Sequence, residues 1–202
     1  MEFDNVIKSR RSIRKFKSDP IPDEYVKEML EAARLAPSGL NLQPWRYVVV
    51  KDKFIKESII GTTPSPFASG APVIILCCID MTAFNAAGAR IMELYEAGAL
   101  SNTVVEQYTS GSFIKKENVK ELMIRANLSF NAAISIDHLI LKATDLGLGS
   151  CWLGIFDQNQ IKKLVGLEDK YEIISLVAVG YSDQSPSPRP RFSMEQILLR
   201  EV

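Results

Sequence analysis

The chain has 202 residues, of which 47% are hydrophobic and 24% are charged, a balance typical of one globular domain with a substantial apolar core. Its 24 basic and 24 acidic residues cancel, which argues against a protein that binds nucleic acid through overall positive charge. No apolar run is long enough to cross a bilayer, and the N-terminus lacks a signal peptide's basic start and apolar middle. We therefore expect a cytoplasmic protein without a membrane partner.

Cysteine and histidine are too sparse to predict a disulfide framework or a metal site. Cys77 and Cys78 are adjacent in an apolar run, Cys151 stands alone, and His138 is the only histidine. No spacing among them matches a metal-ligand pattern. The sequence therefore predicts free thiols and a reducing compartment.

The first half of the chain predicts helices followed by two strands. A short helix over residues 3–9 precedes a second helix, which begins at the start signal in residues 20–24 and ends near Ala36 because a proline follows. Residues 45–50 are rich in β-branched and aromatic side chains and predict a strand. Residues 73–79 are continuously apolar and predict a strand buried on both faces.

A cluster of basic residues follows the first helix. Within eight residues the sequence places Arg10, Arg11, Arg14 and Lys15, together with two hydroxyls, one of them that of Ser12. A guanidinium presents a rigid fork of donors that fits a phosphate or a carboxylate, and serine adds a short-range hydroxyl. The plain alternative is a solvated basic face. Because the net charge is zero, any anion site must be local, and this cluster is the candidate for it.

The loop at residues 37–45, with the sequence PSGLNLQPW, separates the second helix from the first strand. Its two prolines and its glycine exclude a regular helix or strand. Its polar side chains, Ser38, Asn41 and Gln43, can each hydrogen-bond a ligand. The alternative is a plain helix-to-strand connection.

Residues 82–127 are the least regular part of the sequence. The stretches 83–94 and 100–108 have helical composition, a break falls at 110–112, and a further helix is expected to begin near Lys116. Such an insertion could form a helical lid over a pocket or could simply pack against the core, and the sequence leaves both open.

The strongest helical pattern covers residues 128–146. Its apolar residues extend round more than one side, which is typical of a helix that is buried or shared with another subunit. His138 on this helix has no orienting partner in the sequence, so a core or interface role is favoured over acid–base catalysis.

The glycine segment at residues 147–154, with the sequence GLGSCWLG, follows that helix. Its glycines end the helix and permit close backbone approach, but their spacing is not that of a dinucleotide-binding motif. Cys151 is expected to be exposed to the same pocket as the glycines. A small core thiol is nevertheless favoured over a nucleophile, because no histidine base is near.

The C-terminal part predicts a capped helix, a strand and an extended tail. Asp157 resembles a helix N-cap, and residues 173–179 form an apolar strand. The Pro- and Ser-rich residues 182–190 lead to Arg189 and Arg191, which on a plain interpretation are two solvated tail residues.

Together these elements predict one α+β domain over residues 1–202, with a sheet flanked by helices. Four segments resemble the FMN-dependent nitroreductases in residue type, order and separation: the basic cluster, the 37–45 loop, the glycine segment and the tail with its two arginines. The 37–45 loop is the most specific of them. The resemblance implies a nitroreductase-like fold with a central mixed or antiparallel sheet. It also implies a homodimer with exchanged terminal arms and FMN at the subunit interface.

The resemblance further implies which residues would bind the cofactor. They are Arg10, Arg11, Ser12, Arg14, Pro37, Ser38, Gly39, Asn41, Asn131, Leu153, Gly154, Arg189 and Arg191. Ser12 and the arginines other than Arg14 would hold the phosphate and ribityl end, while Arg14 would lie near the pyrimidine side of the ring. Pro37, Ser38 and Gly39 would come from the partner subunit, with Asn41 close to the cofactor. Asn131 stands where relatives often have a flavin-contacting glutamine, and the backbone at 153–154 would face the flavin and donate an N–H toward N5.

By the same resemblance the chain is an NAD(P)H-dependent FMN oxidoreductase that works by a ping-pong mechanism. Hydride would pass from NAD(P)H through FMN to a small planar acceptor, such as a nitroaromatic or a quinone, and no side chain need act as a catalytic nucleophile. A cation such as Arg14 would stabilise the negative charge of reduced flavin. Two alternatives stay open: a non-catalytic FMN carrier or flavin sensor, and a specialised family member such as a reductive dehalogenase.

Overall fold

Four β-strands form the centre of the molecule. In chain order they are β1 (Trp45–Val50), β2 (Val73–Asp80), β3 (Gly149–Leu153) and β4 (Tyr171–Gly180). They make one antiparallel sheet with the strand order β1-β2-β4-β3. The computed structural model describes residues 1–110 and 121–202, and the helix expected near Lys116 lies outside them.

Eight helices occur in the described residues. They are α1 (Phe3–Ser9), α2 (Asp23–Arg34), α3 (Lys53–Ile60), α4 (Ala87–Glu96), α5 (Asn102–Thr109), α6 (Glu121–Asp145), α7 (Gln158–Val165) and α8 (Met194–Ile197). Short 3₁₀ turns occur at Gly39–Asn41, Pro66–Gly70 and Ala83–Ala86. Among the described helices, none combines the length and the apolar character that crossing a membrane requires.

The sheet is covered on both faces, because successive side chains of β2 enter two separate apolar clusters. Ile74 and Leu76 belong to the cluster that includes residues of α3 and α7. Ile75 and Cys77 belong to the cluster that includes residues of α2 and α6. Every residue of β2 is buried, which explains why its sequence is apolar without alternation.

The fold class predicted from the sequence is confirmed, and the sheet is antiparallel throughout. The predicted strands, and the predicted helices that fall within the described residues, are present; α6 extends from Glu121, earlier than its strongest apolar pattern. Asp157 caps α7 as expected, since its carboxylate accepts hydrogen bonds from the backbone N–H groups of Asn159 and Gln160. The sequence does not predict β3, because its residues lack the run of β-branched side chains that is typical of strands.

The chain between α1 and α2 runs beside β3, which positions the basic cluster. Ser12 bridges to Ser150 in parallel fashion, and the Ile13 N–H donates to the Ser150 carbonyl over 2.8 Å. This close approach requires glycine at position 149, because a Cβ there would lie 2.6 Å from Ile13 Cγ1. The glycine segment and the basic cluster are therefore in close contact, which the missing side chain at Gly149 allows.

Candidate functional site

The basic cluster is extended backbone that is anchored by one apolar side chain. Ile13 is buried in the core beside β3. Neighbouring side chains of an extended segment point to opposite sides, and Ser12 and Arg14, which flank Ile13, are both exposed. The core thus fixes the backbone while a hydroxyl and a guanidinium face outward from it.

The ten arginines of the chain fall into two groups. Four of them, Arg34, Arg46, Arg90 and Arg125, each pair with a carboxylate. The other six form no ion pair within the described part of the chain; they are Arg10, Arg11, Arg14, Arg189, Arg191 and Arg200. Five of these six are the arginines that the resemblance assigns to the cofactor, four of them to its phosphate end and Arg14 to its ring. Their charges are available to a phosphate, with which guanidinium groups form strong charge-assisted hydrogen bonds.

A cavity of about 400 Å³ joins three of the four segments singled out in the sequence. Arg10 and Arg11 line it from the basic cluster, and Gly147–Gly149 line it from the glycine segment. The start of the C-terminal tail completes the wall with Ser182, among other residues. Segments that are far apart in the sequence therefore meet at one cavity, as expected if they serve one site.

Arg11 leaves a buried hydrogen-bond donor without a partner in this cavity wall. Its Nη1 donates to the carbonyls of Lys8 and Arg10 over 2.6 and 2.8 Å. Its Nε is buried and has no hydrogen-bond partner among the described residues. A buried donor without a partner costs about 1–3 kcal/mol, so an anionic ligand that reached it would stabilise the site. The donor set thus fits a phosphate group.

The 37–45 loop holds unusual backbone conformations close to its polar side chains. Leu40, Asn41 and Gln43 have φ angles of 53°, 52° and 45°. These lie in the left-handed region, which residues other than glycine rarely adopt. Each such residue costs about 1 kcal/mol or more, and such strain clusters at binding sites. Two hydrogen bonds made by Gln43 brace the turn: its N–H donates to Ser38 Oγ and its Nε2 donates to Asn41 Oδ1, both over 3.0 Å.

Asn131 joins this loop to α6. Its side chain is 4% exposed, and its Oδ1 accepts a hydrogen bond of 2.7 Å from the Gly39 N–H. Its Nδ2 donates to the Asn127 carbonyl over 2.8 Å. The structure therefore brings Asn131 together with the loop residues that the resemblance places beside the cofactor.

The structure buries Cys151, so its expected exposure to the pocket is wrong. The side chain is 4% exposed and belongs to the core between the sheet and α3 and α7, because the strand β3 turns it inward. Burial raises the pKa of the Cys151 thiol, while the nearby Arg14 guanidinium acts in the opposite direction. The interpretation as a core thiol is the correct one. Arg14 itself lies 5.8 Å from the ring centre of Phe67.

We expect none of the three thiols to react with a disulfide reagent such as DTNB in the native protein. Burial raises the pKa of Cys77 and Cys151, and it raises that of Cys78 to about 12, so the reactive thiolate is scarce at pH 8. All three are free and buried. Titration in denaturant should then give three thiols per chain. Fast labelling of Cys151 in the folded protein would contradict the core assignment and make a reactive role credible.

The remaining assigned residues lie at the end of β3 and in the C-terminal tail. Leu153 is buried at the end of β3, and Gly154 is exposed just after it. Arg189 and Arg191 are exposed in the tail, where Arg191 Nη1 donates to the Pro190 carbonyl over 3.0 Å. In the described part of one chain, no hydrogen bond joins the basic cluster to the 37–45 loop. Within one chain these groups are two separate candidate half-sites, one at the basic cluster and one at the 37–45 loop.

Three residues that support the loop are not identified from the sequence. Gln43 is predicted only as a polar loop residue that could bond a ligand, yet it braces the turn. Asn127 and Ser135 are not singled out at all, although they share one face of α6 with Asn131 at i, i+4 and i+8. That spacing is readable in the sequence and could have indicated a set of side-chain hydrogen bonds along this face.

Three comparisons with known proteins cover nearly the whole chain. The model of the Nitroreductase family matches residues 7–181. The chain is 31% identical to the NADH dehydrogenase of Thermus thermophilus over 94% of this chain and 91% of that protein. It is 28% identical to MhqN of Bacillus subtilis, which is named an NAD(P)H nitroreductase, over 94% of this chain and 93% of that protein. A solved structure described as a nitroreductase from Exiguobacterium sibiricum in complex with FMN has a TM-score of 0.81 at 24% identity, covering 98% of this chain and 96% of that one.

Proposed function

The chain belongs to the Nitroreductase family, and we propose that it is an FMN-dependent enzyme that transfers hydride from NAD(P)H to a small planar acceptor such as a nitroaromatic or a quinone. As a member of this family the chain is an NAD(P)H-dependent oxidoreductase, in keeping with relatives named NADH dehydrogenase and NAD(P)H nitroreductase. The structural relative in complex with FMN supports the choice of cofactor.

The observation that carries the proposal is the cavity lined by Arg10 and Arg11, two arginines without a described carboxylate partner, with an unsatisfied donor on Arg11. FMN ends in a phosphate dianion, which would bind the guanidiniums that have no carboxylate partner in the described chain. We propose that Arg10, Arg11 and Ser12 hold the phosphate and ribityl end. Arg189 and Arg191 would close on the phosphate when the tail folds over the site.

The ring of the cofactor would lie along the end of β3. We propose that the backbone at Leu153 and Gly154 faces it, because an exposed glycine there allows close approach of a planar group. Arg14, exposed one residue beyond Ile13, would lie near the pyrimidine side. Its cation would stabilise negative charge that develops on the ring during reduction.

The loop half-site would be supplied by a second copy of the chain. We propose a homodimer in which Pro37, Ser38, Gly39 and Asn41 of one subunit complete the site of the other. Support comes from apolar side chains that one chain leaves exposed: Phe130 on α6 is 70% exposed, and the tail residue Leu199 is 94% exposed. Such groups favour burial against a partner, as exchanged terminal arms would provide.

Bound FMN would supply the redox chemistry, so that hydride enters from NAD(P)H and leaves to the acceptor in two separate half-reactions, a ping-pong sequence. The described residues of the site would position the cofactor and stabilise its charge. They include no thiolate nucleophile, because the Cys151 thiol is buried with a raised pKa.

The helix α4 packs against the Gly39–Asn41 turn. We therefore propose that α4, the first helix of the 82–127 insertion, borders the site within a single domain over 1–202. The free thiols support a cytoplasmic location.

The test is the visible absorption spectrum of the purified protein incubated with FMN, freed of unbound cofactor and titrated anaerobically with NADH and, separately, NADPH. Flavin bands that bleach, and that return when a nitroaromatic or a quinone is added, are the expected result. Bands that neither nucleotide bleaches would favour a flavin carrier or sensor. The absence of flavin bands after incubation would refute the proposal, since the unpaired arginines would then be surface charges.

A further inference from the structure

We propose that Asn131 is a positioning residue, which holds the turn at Gly39 in its binding conformation through a partly buried hydrogen bond and does not itself bind the cofactor. This inference rests on the proposed function, in which the 37–41 residues face FMN. It changes the role that the resemblance gives to this position, where a longer glutamine often contacts the flavin.

The amide of Asn131 is already engaged inside the chain. Its Oδ1 accepts from the Gly39 N–H at 2.7 Å. Its Nδ2 donates to the Asn127 carbonyl at 2.8 Å and lies 3.2 Å from Asn127 Oδ1. Both hydrogen bonds of the Nδ2 group go to Asn127. Because Asn131 is only 4% exposed, its amide is engaged within the chain and presents little surface to a ligand.

The turn that Asn131 holds cannot be kept in place by backbone preference alone. Leu40, Asn41 and Gln43 all have left-handed backbone conformations, which an isolated peptide would leave. The hydrogen bond to Gly39 fixes the start of the turn, and the two bonds made by Gln43 fix its end. Because Gln43 Nε2 occupies Asn41 Oδ1, the Nδ2 group of Asn41 remains to donate to a ligand.

The same face of α6 also fixes the helix that leads into the turn. Ser135, one helical turn after Asn131, is fully buried, and its hydroxyl donates to the Ala33 carbonyl near the end of α2 over 2.6 Å. The Tyr47 hydroxyl on β1 lies 2.7 Å from the same Ser135 oxygen. α6 thus fastens the elements before and after the loop through Ser135, and the loop itself through Asn131.

The experiment compares Asn131→Leu, Gln43→Ala and the double variant by their dissociation constants for FMN, measured from quenching of flavin fluorescence. Each single variant should raise the constant about fivefold to tenfold, which is what the loss of one buried hydrogen bond is worth. If both residues act through the turn, the double variant should be little weaker than the worse single variant. An unchanged constant for Asn131→Leu, or fold-changes that simply multiply in the double variant, would overturn the proposal.

Amide hydrogen exchange without FMN gives a second measurement that does not depend on the cofactor. In the apoprotein, residues 37–43 should exchange faster in Asn131→Leu than in the parent chain; unchanged exchange would overturn the role in holding the turn. Asp52→Ala is the matched control: it removes the carboxylate that accepts a hydrogen bond from the Ile55 N–H at the start of α3, and it should lower the melting temperature yet leave the FMN constant within about twofold. If Asn131→Leu does not fold, Asn131→Ser, whose hydroxyl is too short to reach Gly39, replaces it.

A parent chain that fails to bind FMN would refute the proposed function. Amide hydrogen exchange would still test whether Asn131 holds the turn.

Discussion

Replacing Arg10 and Arg189 together by alanine should weaken FMN binding by about 100-fold or more. The reason is the loss of two charge-assisted hydrogen bonds to a phosphate dianion, each of which contributes about 1.5–3 kcal/mol. Neither guanidinium pairs with a described carboxylate, so the double variant leaves no buried acid without a partner and should fold normally. The measurement is a fluorescence titration with FMN, and thermal unfolding of the apoprotein checks the fold.

Arg200→Ala is the matched control for this pair. Arg200 also lacks a described carboxylate partner and is exposed in the same tail, but it lies outside the proposed site. Its removal should leave FMN affinity within about twofold, as expected for a surface charge screened by salt. If the Arg10/Arg189 variant behaved like the control, the phosphate would have to bind elsewhere.

Gly149→Ala should destabilise the fold by about 2–3 kcal/mol and displace the basic cluster. The added Cβ would lie 2.6 Å from Cγ1, 2.9 Å from Cβ and 3.0 Å from Cγ2 of Ile13, and these atoms belong to a buried side chain that cannot move aside freely. Because Ile13 lies between Ser12 and Arg14, its movement should also weaken FMN binding. Denaturant unfolding and the FMN titration measure the two effects.

Gly88→Ala provides the comparison, because a Cβ at that position of α4 meets nothing within 4 Å and alanine favours a helix. This variant should be neutral or slightly stabilising. Ile13→Ala alone should lower the stability of the protein. It should lower it less in the Gly149→Ala background, because shortening Ile13 removes most of the overlap that the added Cβ at position 149 creates. Additive losses of stability would show that the two residues are not coupled as the structure indicates.

How far the sequence predicts this molecule depends on whether the relevant signal is local. The strand β2 is apolar at nearly every position and is buried along its whole length, so its sequence alone identifies it. The cap of α7 is equally local, since Asp157 bonds groups two and three residues away. By contrast, β3 is a strand because it pairs with β4, and that pairing cannot be predicted from the five residues of β3 alone.

The candidate site shows the same division. The basic cluster and the 37–45 loop could be singled out from residue types, because arginine forks, prolines and amides have a chemistry of their own. The bond from Gly39 to Asn131 joins residues 92 positions apart, and no local pattern contains it. The burial of Cys151 likewise follows from the side of β3 on which it falls, which only the pairing register decides.

The strand order has a consequence for how the chain is made. β2 pairs with both β1 and β4, but β4 is the last strand to leave the ribosome. Residues 81–170 must first be synthesised, which takes roughly 5–20 s at usual elongation rates. During that time β2 presents an open edge and a run of apolar, β-forming side chains from Val73 to Ile79. The nascent chain therefore carries an aggregation-prone segment with one open edge through nearly half of its synthesis, and chaperone dependence should arise there.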